Sequence, residues 1–280
     1  MSVFDKKIIR ISSKKKTTRD LLFDVPSDFI EFNNLIGLPK HPFTSHPMPM
    51  MPYQEEFLNL IPRDRNRIFH INKSRQIGMT ELVLRVIAYH SFFKYKGGRV
   101  LIIAGTRVGT AAKMMARLKQ LFWNISWAVS ENHNKLSLKL ANGTEIEALP
   151  SNSDAIRGYT QVRAIFVDEA AHFDLTDDSV VMDAIRPIVF TNRADLFLVS
   201  TPNGRRGFFY DIASSENEFH KIQRDYTSAI GWIYTKEEIE KELQRTDIDV
   251  DQEYRCQFTS PRNSVFGDRF TEDDYEDEAL

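Results

Sequence analysis

KSRQIGMTE, residues Lys73 to Glu81, is a phosphate-binding loop pattern with one residue out of place. The usual form is G-x-x-x-x-G-K-[ST], with lysine just before the hydroxyl residue. Gly78 and Thr80 fit that form, but Met79 stands where lysine belongs and Lys73 where the first glycine belongs. If residues 73–80 curl around phosphates, the first position comes near the last, and the long ammonium chain of Lys73 reaches in from the other end. Arg75 is a second cation in the loop, and which of the two is the main phosphate sensor stays open. Ser74, Gln76 and Ile77 complete the expected phosphate-binding set, and Met79 is expected to pack outward. The competing reading is a sheet that has kept its shape and lost its chemistry, with Met79 as its best argument.

The neighbouring residues give the loop its setting. RIFHIN (67–72) reads as a short apolar strand and TELVLRVIAYHSFFKY (80–95) as a helix, so backbone N–H groups and a helix N-terminus face the loop. GGRVLIIAG (97–105) then gives a turn and a strand, and residues 106–123 a helix. KLSLKLANGTEIEALP (135–150) alternates about Asn142-Gly143, a hairpin signal. VRAIFVDEA (162–170) and ADLFLVSTP (194–202) are buried strands, with helices at 179–190, 207–214 and 235–246, the last capped by Thr235 with Glu238 three residues on. Residues 20–52, rich in Pro, Phe and Met, read as irregular packing. Alternating strands and helices predict an α/β fold with a mostly parallel sheet covered on both faces.

Two strand ends add chemistry. In AIFVDE, Asp168 is placed to hold Mg²⁺ together with the Thr80 hydroxyl, and Glu169 to orient and deprotonate an attacking water. In VSTP, Ser200 and Thr201 are placed to contact a terminal phosphate or that water. Each match is weak alone; their order on three separate strands argues for a nucleotide hydrolase.

Composition sets outer bounds. The chain has 280 residues, 42% hydrophobic and 27% charged, ordinary for a globular protein. It contains no apolar run near the roughly 18 residues of a membrane helix, and its basic, polar start is not expected to be a secretory signal. Its single cysteine, Cys256, excludes an internal disulfide and reads as a small buried residue. The net charge of −2 conceals −6 over residues 268–280 and +4 over the rest. That balance, with a basic N-terminal stretch, is compatible with a polyanion partner or simply with solvated termini.

Four stretches, PYQEEFLNLI (52–61), KSRQIGMTE, RGYTQVRAIFVDEAAHF (157–173) and LVSTPNG (198–204), resemble the ATPase domain of the large terminase subunit, the motor that packages viral DNA. The resemblance covers roughly residues 50–260, and some family members also place the loop lysine first. It implies a P-loop NTPase of the ASCE/RecA-like class with a small lid-like subdomain. The expected division is 1–50 (basic, irregular, part of the lid), 51–215 (ATPase core), 216–262 (C-terminal part of the ATPase domain) and 263–280 (acidic tail). It further implies that Gln54 reads adenine with Tyr53 stacking beside it, or that Gln54 merely sits on a surface helix. Arg157 becomes an arginine finger supplied to a neighbouring subunit, or a structural ion pair; Ser200, Thr201 and Pro202 become the segment coupling hydrolysis to movement. YRCQFTSPRNSVFGDRF (254–270) resembles the end of the ATPase domain, so no nuclease activity is expected from this chain; a domain cut from a longer protein and a nuclease on a separate chain both fit.

The expected function is Mg²⁺-dependent ATP hydrolysis driving double-stranded DNA into a procapsid in the host cytoplasm. The expected partners are DNA, a portal protein, a small terminase subunit and further copies in a ring, with a monomer as the isolated state and no membrane. The rivals are a helicase-like P-loop translocase, for which the chain is too short to supply a second lobe, and a non-hydrolysing adaptor that binds nucleotide or DNA.

Overall fold

The computed structural model describes residues 25–62, 66–105, 108–131, 134–151, 153–173 and 175–260. The basic N-terminal stretch and the acidic tail lie outside the described residues. Two helices, α1 (Phe29–Ile36) and α2 (Pro52–Asn59), precede strand β1 (Ile68–Lys73), helix α3 (Met79–His90), strand β2 (Arg99–Ala104) and helix α4 (Val108–Leu121). Strands β3 (Val129–Glu131), β4 (Ser137–Leu140) and β5 (Glu145–Leu149) follow, then α5 (Ser153–Ile156), β6 (Val162–Asp168), α6 (Leu175–Asn192), β7 (Asp195–Ser200), α7 (Gly207–Ser214) and β8 (His220–Arg224). Helices α8 (Lys236–Glu242) and α9 (Val250–Glu253) come last among the described elements.

The eight strands among the described residues form one sheet in the order β3-β4-β5-β2-β6-β7-β1-β8. Every pairing from β5 to β8 is parallel; only β3-β4 and β4-β5 are antiparallel. Side chains of a strand alternate between faces, and both faces are covered here. Val100, Ile102, Phe166 and Phe197 pack with α3 and α4, while Leu101, Ile103, Ile165 and Leu196 pack with α6 and α7. Burial on both sides explains why these strands are continuously apolar in sequence.

The parallel core places β7 between β1 and β6, with Asn72 beside Ser200 and Val199 beside Asp168. The carboxyl ends of β1, β6 and β7 thus open side by side at one edge, where ligands bind in open α/β sheets. At the opposite end of the sheet, Asp195 is fully buried and takes Lys94 Nζ at 2.7 Å, Tyr95 Oη at 2.6 Å and the Arg67 N–H at 2.9 Å.

The structure adds elements that the sequence-based expectation lacks, among them the short helices α5 and α9. Residues 29–36, within the stretch that reads as irregular, form α1, capped by Asp28, whose carboxylate accepts the Glu31 N–H at 2.9 Å. Its buried face is Phe32, Asn33 and Ile36; Asn33 breaks the apolar pattern because it accepts a hydrogen bond from Arg85 Nη1 at 2.6 Å. Strands β3 and β8 are also absent from that expectation. β8 buries only Ile222 among HKIQR, as suits a strand at the sheet edge.

Candidate nucleotide site

Lys73 is the last residue of β1, and the loop behind it turns through Gln76 (φ +59°) and Gly78 (φ +87°) into α3. Glycine is required at position 78: beyond its left-handed backbone, an added Cβ would stand 3.3 Å from Gln54 Nε2 and 3.5 Å from Met51 Cε. The curl brings the loop's two ends to one pair of carboxylates. Lys73 Nζ lies 3.4 Å from Glu169 Oε1, and Thr80 Oγ1 donates to Asp168 Oδ1 at 3.0 Å.

Met79 does not pack outward. It is 1% exposed and points into the core with Leu82, Val83 and Val86, the i, i+3, i+4, i+7 face of α3. Arg75 is exposed, and its guanidinium pairs with Glu253: Nη2 donates to Oε1 at 3.2 Å. The Glu253 carbonyl also accepts the Arg75 N–H at 2.8 Å and Ser74 Oγ at 3.3 Å. One residue earlier, Gln252 Oε1 accepts the Gly204 N–H at 2.5 Å. The turn at α9 therefore joins the loop start to the segment that follows Pro202.

Asp168 is buried, and its carboxyl is pushed up to about 6 from an ordinary 3.8, by burial first and by Glu169 second; Lys73 and Thr80 partly offset this. A carboxylate raised in this way holds its proton more tightly when folded. The empty protein therefore gains stability as pH falls through about 6 toward 3.8, and carries the cost of ionisation above that range. Asp168→Asn keeps an acceptor for Thr80 and removes the charge. It is expected to stabilise the metal-free protein near neutral pH by on the order of 1–3 kcal/mol, with the gain shrinking below about pH 5. Thermal melting across pH checks this; a lower melting temperature for the variant at neutral pH would contradict it.

Ser200 and Thr201 are fully buried at the end of β7, with Pro202 also buried. Ser200 Oγ accepts the Ala171 N–H at 3.1 Å, and Thr201 Oγ1 lies 2.9 Å from Nε2 of His172. Sequence reasoning does not single out His172, although it stands within the DEAAHF string; its signal is a partner 29 residues away. Burial lowers its pKa below the ordinary histidine value, against the opposing fields of Glu169 and Glu253.

Tyr53 is buried and does not line the cavity; its hydroxyl donates to the Ile77 carbonyl, and burial pushes the phenol far up, so it stays protonated. Gln54 does reach the cavity wall, with Oε1 accepting the Met51 N–H at 3.0 Å and Nε2 donating to Tyr53 Oη at 3.3 Å. Arg157 is exposed and stands apart from the cavity. The cavity has a volume of about 780 Å³ and is lined by Lys73, Thr80, Glu169, His172, Arg117 and Gln54, with Met48, Met51 and Ile233 on its apolar side. Arg117, from α4, reaches Glu81 Oε2 at 3.4 Å.

Residues 70–270 match the family of the large terminase subunit, T4likevirus-type, N-terminal domain. The chain belongs to the large terminase family. Solved terminases share the fold of this family member. The large terminase ATPase domain of Thermus phage P74-26 superposes with a TM-score of 0.58 at 20% identity, covering 84% of this chain and 99% of that one. The HK97 bacteriophage large terminase gives 0.61 at 16% identity, over 82% of this chain and 54% of that one. A large terminase from a thermophilic bacteriophage, in complex with ATP-γ-S, gives 0.54 at 14% identity, over 74% and 51%. This terminase chain thus spans about half the length of the latter two proteins. Among its described residues no helix is long and apolar enough to cross a membrane.

Proposed function

We propose that this chain is a Mg²⁺-dependent ATPase that drives double-stranded DNA into a procapsid. The observation that carries the reading is the convergence of Lys73, Thr80, Asp168, Glu169 and the Thr201–His172 pair at three adjacent strand ends. Backbone N–H groups of residues 76–80 would cradle the phosphates, and Lys73 would pair with the β- and γ-oxygens. Arg75 would join it on release from Glu253. Thr80 and Asp168 are two hard oxygen ligands, the kind Mg²⁺ takes alongside phosphates. When bound there, the ion would neutralise charge on the phosphate oxygens.

Glu169 would orient the attacking water in line with the γ-phosphate and take its proton. Gln54, on the apolar side of the cavity, would face the adenine, with Tyr53 supporting the loop from beneath rather than stacking. Ser200, Thr201 and Pro202 would sense the terminal phosphate. The exposed Arg157 suits donation to a neighbouring subunit's site, which implies a ring of copies. DNA would be held mainly through its backbone, with strong salt dependence; a portal protein and a small terminase subunit would complete the motor.

Phosphate release from ATP by the purified chain tests the reading. It should require Mg²⁺ and stop on chelation. ATP binding without any phosphate release, in the presence of DNA and at high protein concentration, would favour the non-hydrolysing adaptor.

A further inference from the structure

The turn after β6 is knitted to the end of β7 by a set of short links. His172 N donates to the Glu169 carbonyl at 2.9 Å, closing the turn. Ala170 N donates to Val199 O at 3.1 Å, Ala171 N to Ser200 Oγ at 3.1 Å, and Asn203 Nδ2 to Ala171 O at 3.0 Å. These links hold Glu169 at φ +52°, a left-handed backbone that a non-glycine residue keeps only when its surroundings over-determine it. The last link is a side-chain one: His172 Nε2 stands 2.9 Å from Thr201 Oγ1 and 3.8 Å from Glu169 Oε2.

We infer that His172 is a positioning residue whose imidazole edge stands between the Thr201 hydroxyl and the Glu169 carboxylate, transmitting phosphate contact at Thr201 to the orientation of the base. This rests on the reading of Glu169 as base and Thr201 as phosphate-facing. A neutral imidazole has one N–H, and with the proton on Nε2 that edge serves one partner at a time. While Thr201 holds it, Glu169 stays beyond hydrogen-bond reach; when the Thr201 hydroxyl turns to a phosphate oxygen, the N–H becomes available to Glu169. Lys73, Arg75 and Glu253 are the other charged groups whose fields reach the ring.

The experiment compares His172→Phe, which keeps a ring and removes the hydrogen bond, with His172→Gln, which restores a donor. Steady-state ATP turnover, equilibrium binding of a fluorescent ATP analogue and thermal melting are measured on each. His172→Phe is expected to lower kcat about tenfold with KM and analogue affinity within about twofold, and His172→Gln to recover to within about threefold of wild type. Thr201→Val combined with His172→Phe should be no slower than Thr201→Val alone, because the two act through one contact.

A His172→Phe protein with wild-type kcat overturns the inference, as does a loss that tracks melting temperature equally in the Phe and Gln variants. If His172→Phe does not fold, the Thr201→Val and His172→Leu pair decides: independent, additive losses overturn it. Failure of the functional reading looks different, since wild type would then release no phosphate at all.

Discussion

Glu169→Gln is expected to lose ATP turnover by about three orders of magnitude, within the range attributed to a positioned general base, while retaining ATP binding. The substitution is isosteric and leaves an amide oxygen for Lys73, whose ammonium lies 3.4 Å from Oε1. What disappears is basicity. A second signature follows from the neighbouring carboxylate. Glu169 is one of the causes holding Asp168 up at about 6, so neutralising it moves Asp168 back toward the ordinary carboxylate range. The variant should therefore keep its metal-dependent nucleotide affinity to lower pH than wild type does. Phosphate release and analogue binding, measured on the same preparation from pH 5 to 8, test both points. Turnover above about a tenth of wild type would remove Glu169 from the role of base.

The second large effect concerns the relocated lysine. Lys73→Ala should weaken ATP binding by roughly 10- to 100-fold, the scale of a lost hydrogen bond to a charged group, and reduce turnover at least as much. Lys73 is 5% exposed and lowers the pKa of Asp168, so its loss also leaves the weaker field of Arg117 as the remaining cationic influence on that carboxylate. The informative partner is Met79→Lys, which restores the usual motif. Position 79 is 1% exposed within the core, and an ammonium there should cost several kcal/mol of stability. Adding Met79→Lys to Lys73→Ala should rescue nothing. Recovery of turnover in the double variant would show that the cation can act from the rear of the loop and would defeat the present assignment.

The sheet was legible because strands buried on both faces leave uninterrupted apolar runs such as VLIIA and LFLVS. The capping box of α8 was legible for a local reason as well: Thr235 and Glu238 satisfy each other's backbone within three residues. The approach of Thr80 to Asp168 followed from the order of motifs on parallel strands, whereas the contact of Lys73 with Glu169 is a finding of the structure. What escaped were partners far away in the chain. Nothing near Arg75 announces Glu253, 178 residues on, and nothing near Asn33 announces Arg85. β8 was hidden by its edge position, which lets HKIQR stay polar on all but Ile222. The misplacement of Met79 is different in kind, since its spacing to Leu82, Val83 and Val86 already marked the inward side of α3.

The turn at residues 249–253 has a mechanical meaning. It grips Ser74 and Arg75 through Glu253, and Gly204 through Gln252. The start of the loop and the segment after Pro202 are thereby both coupled to the stretch of backbone leaving at Tyr254. That stretch is tied to the sheet as well, through the Cys256 carbonyl, which accepts Asn72 Nδ2 of β1 at 2.9 Å, so a pull arriving along it is shared between β1 and the two gripped segments.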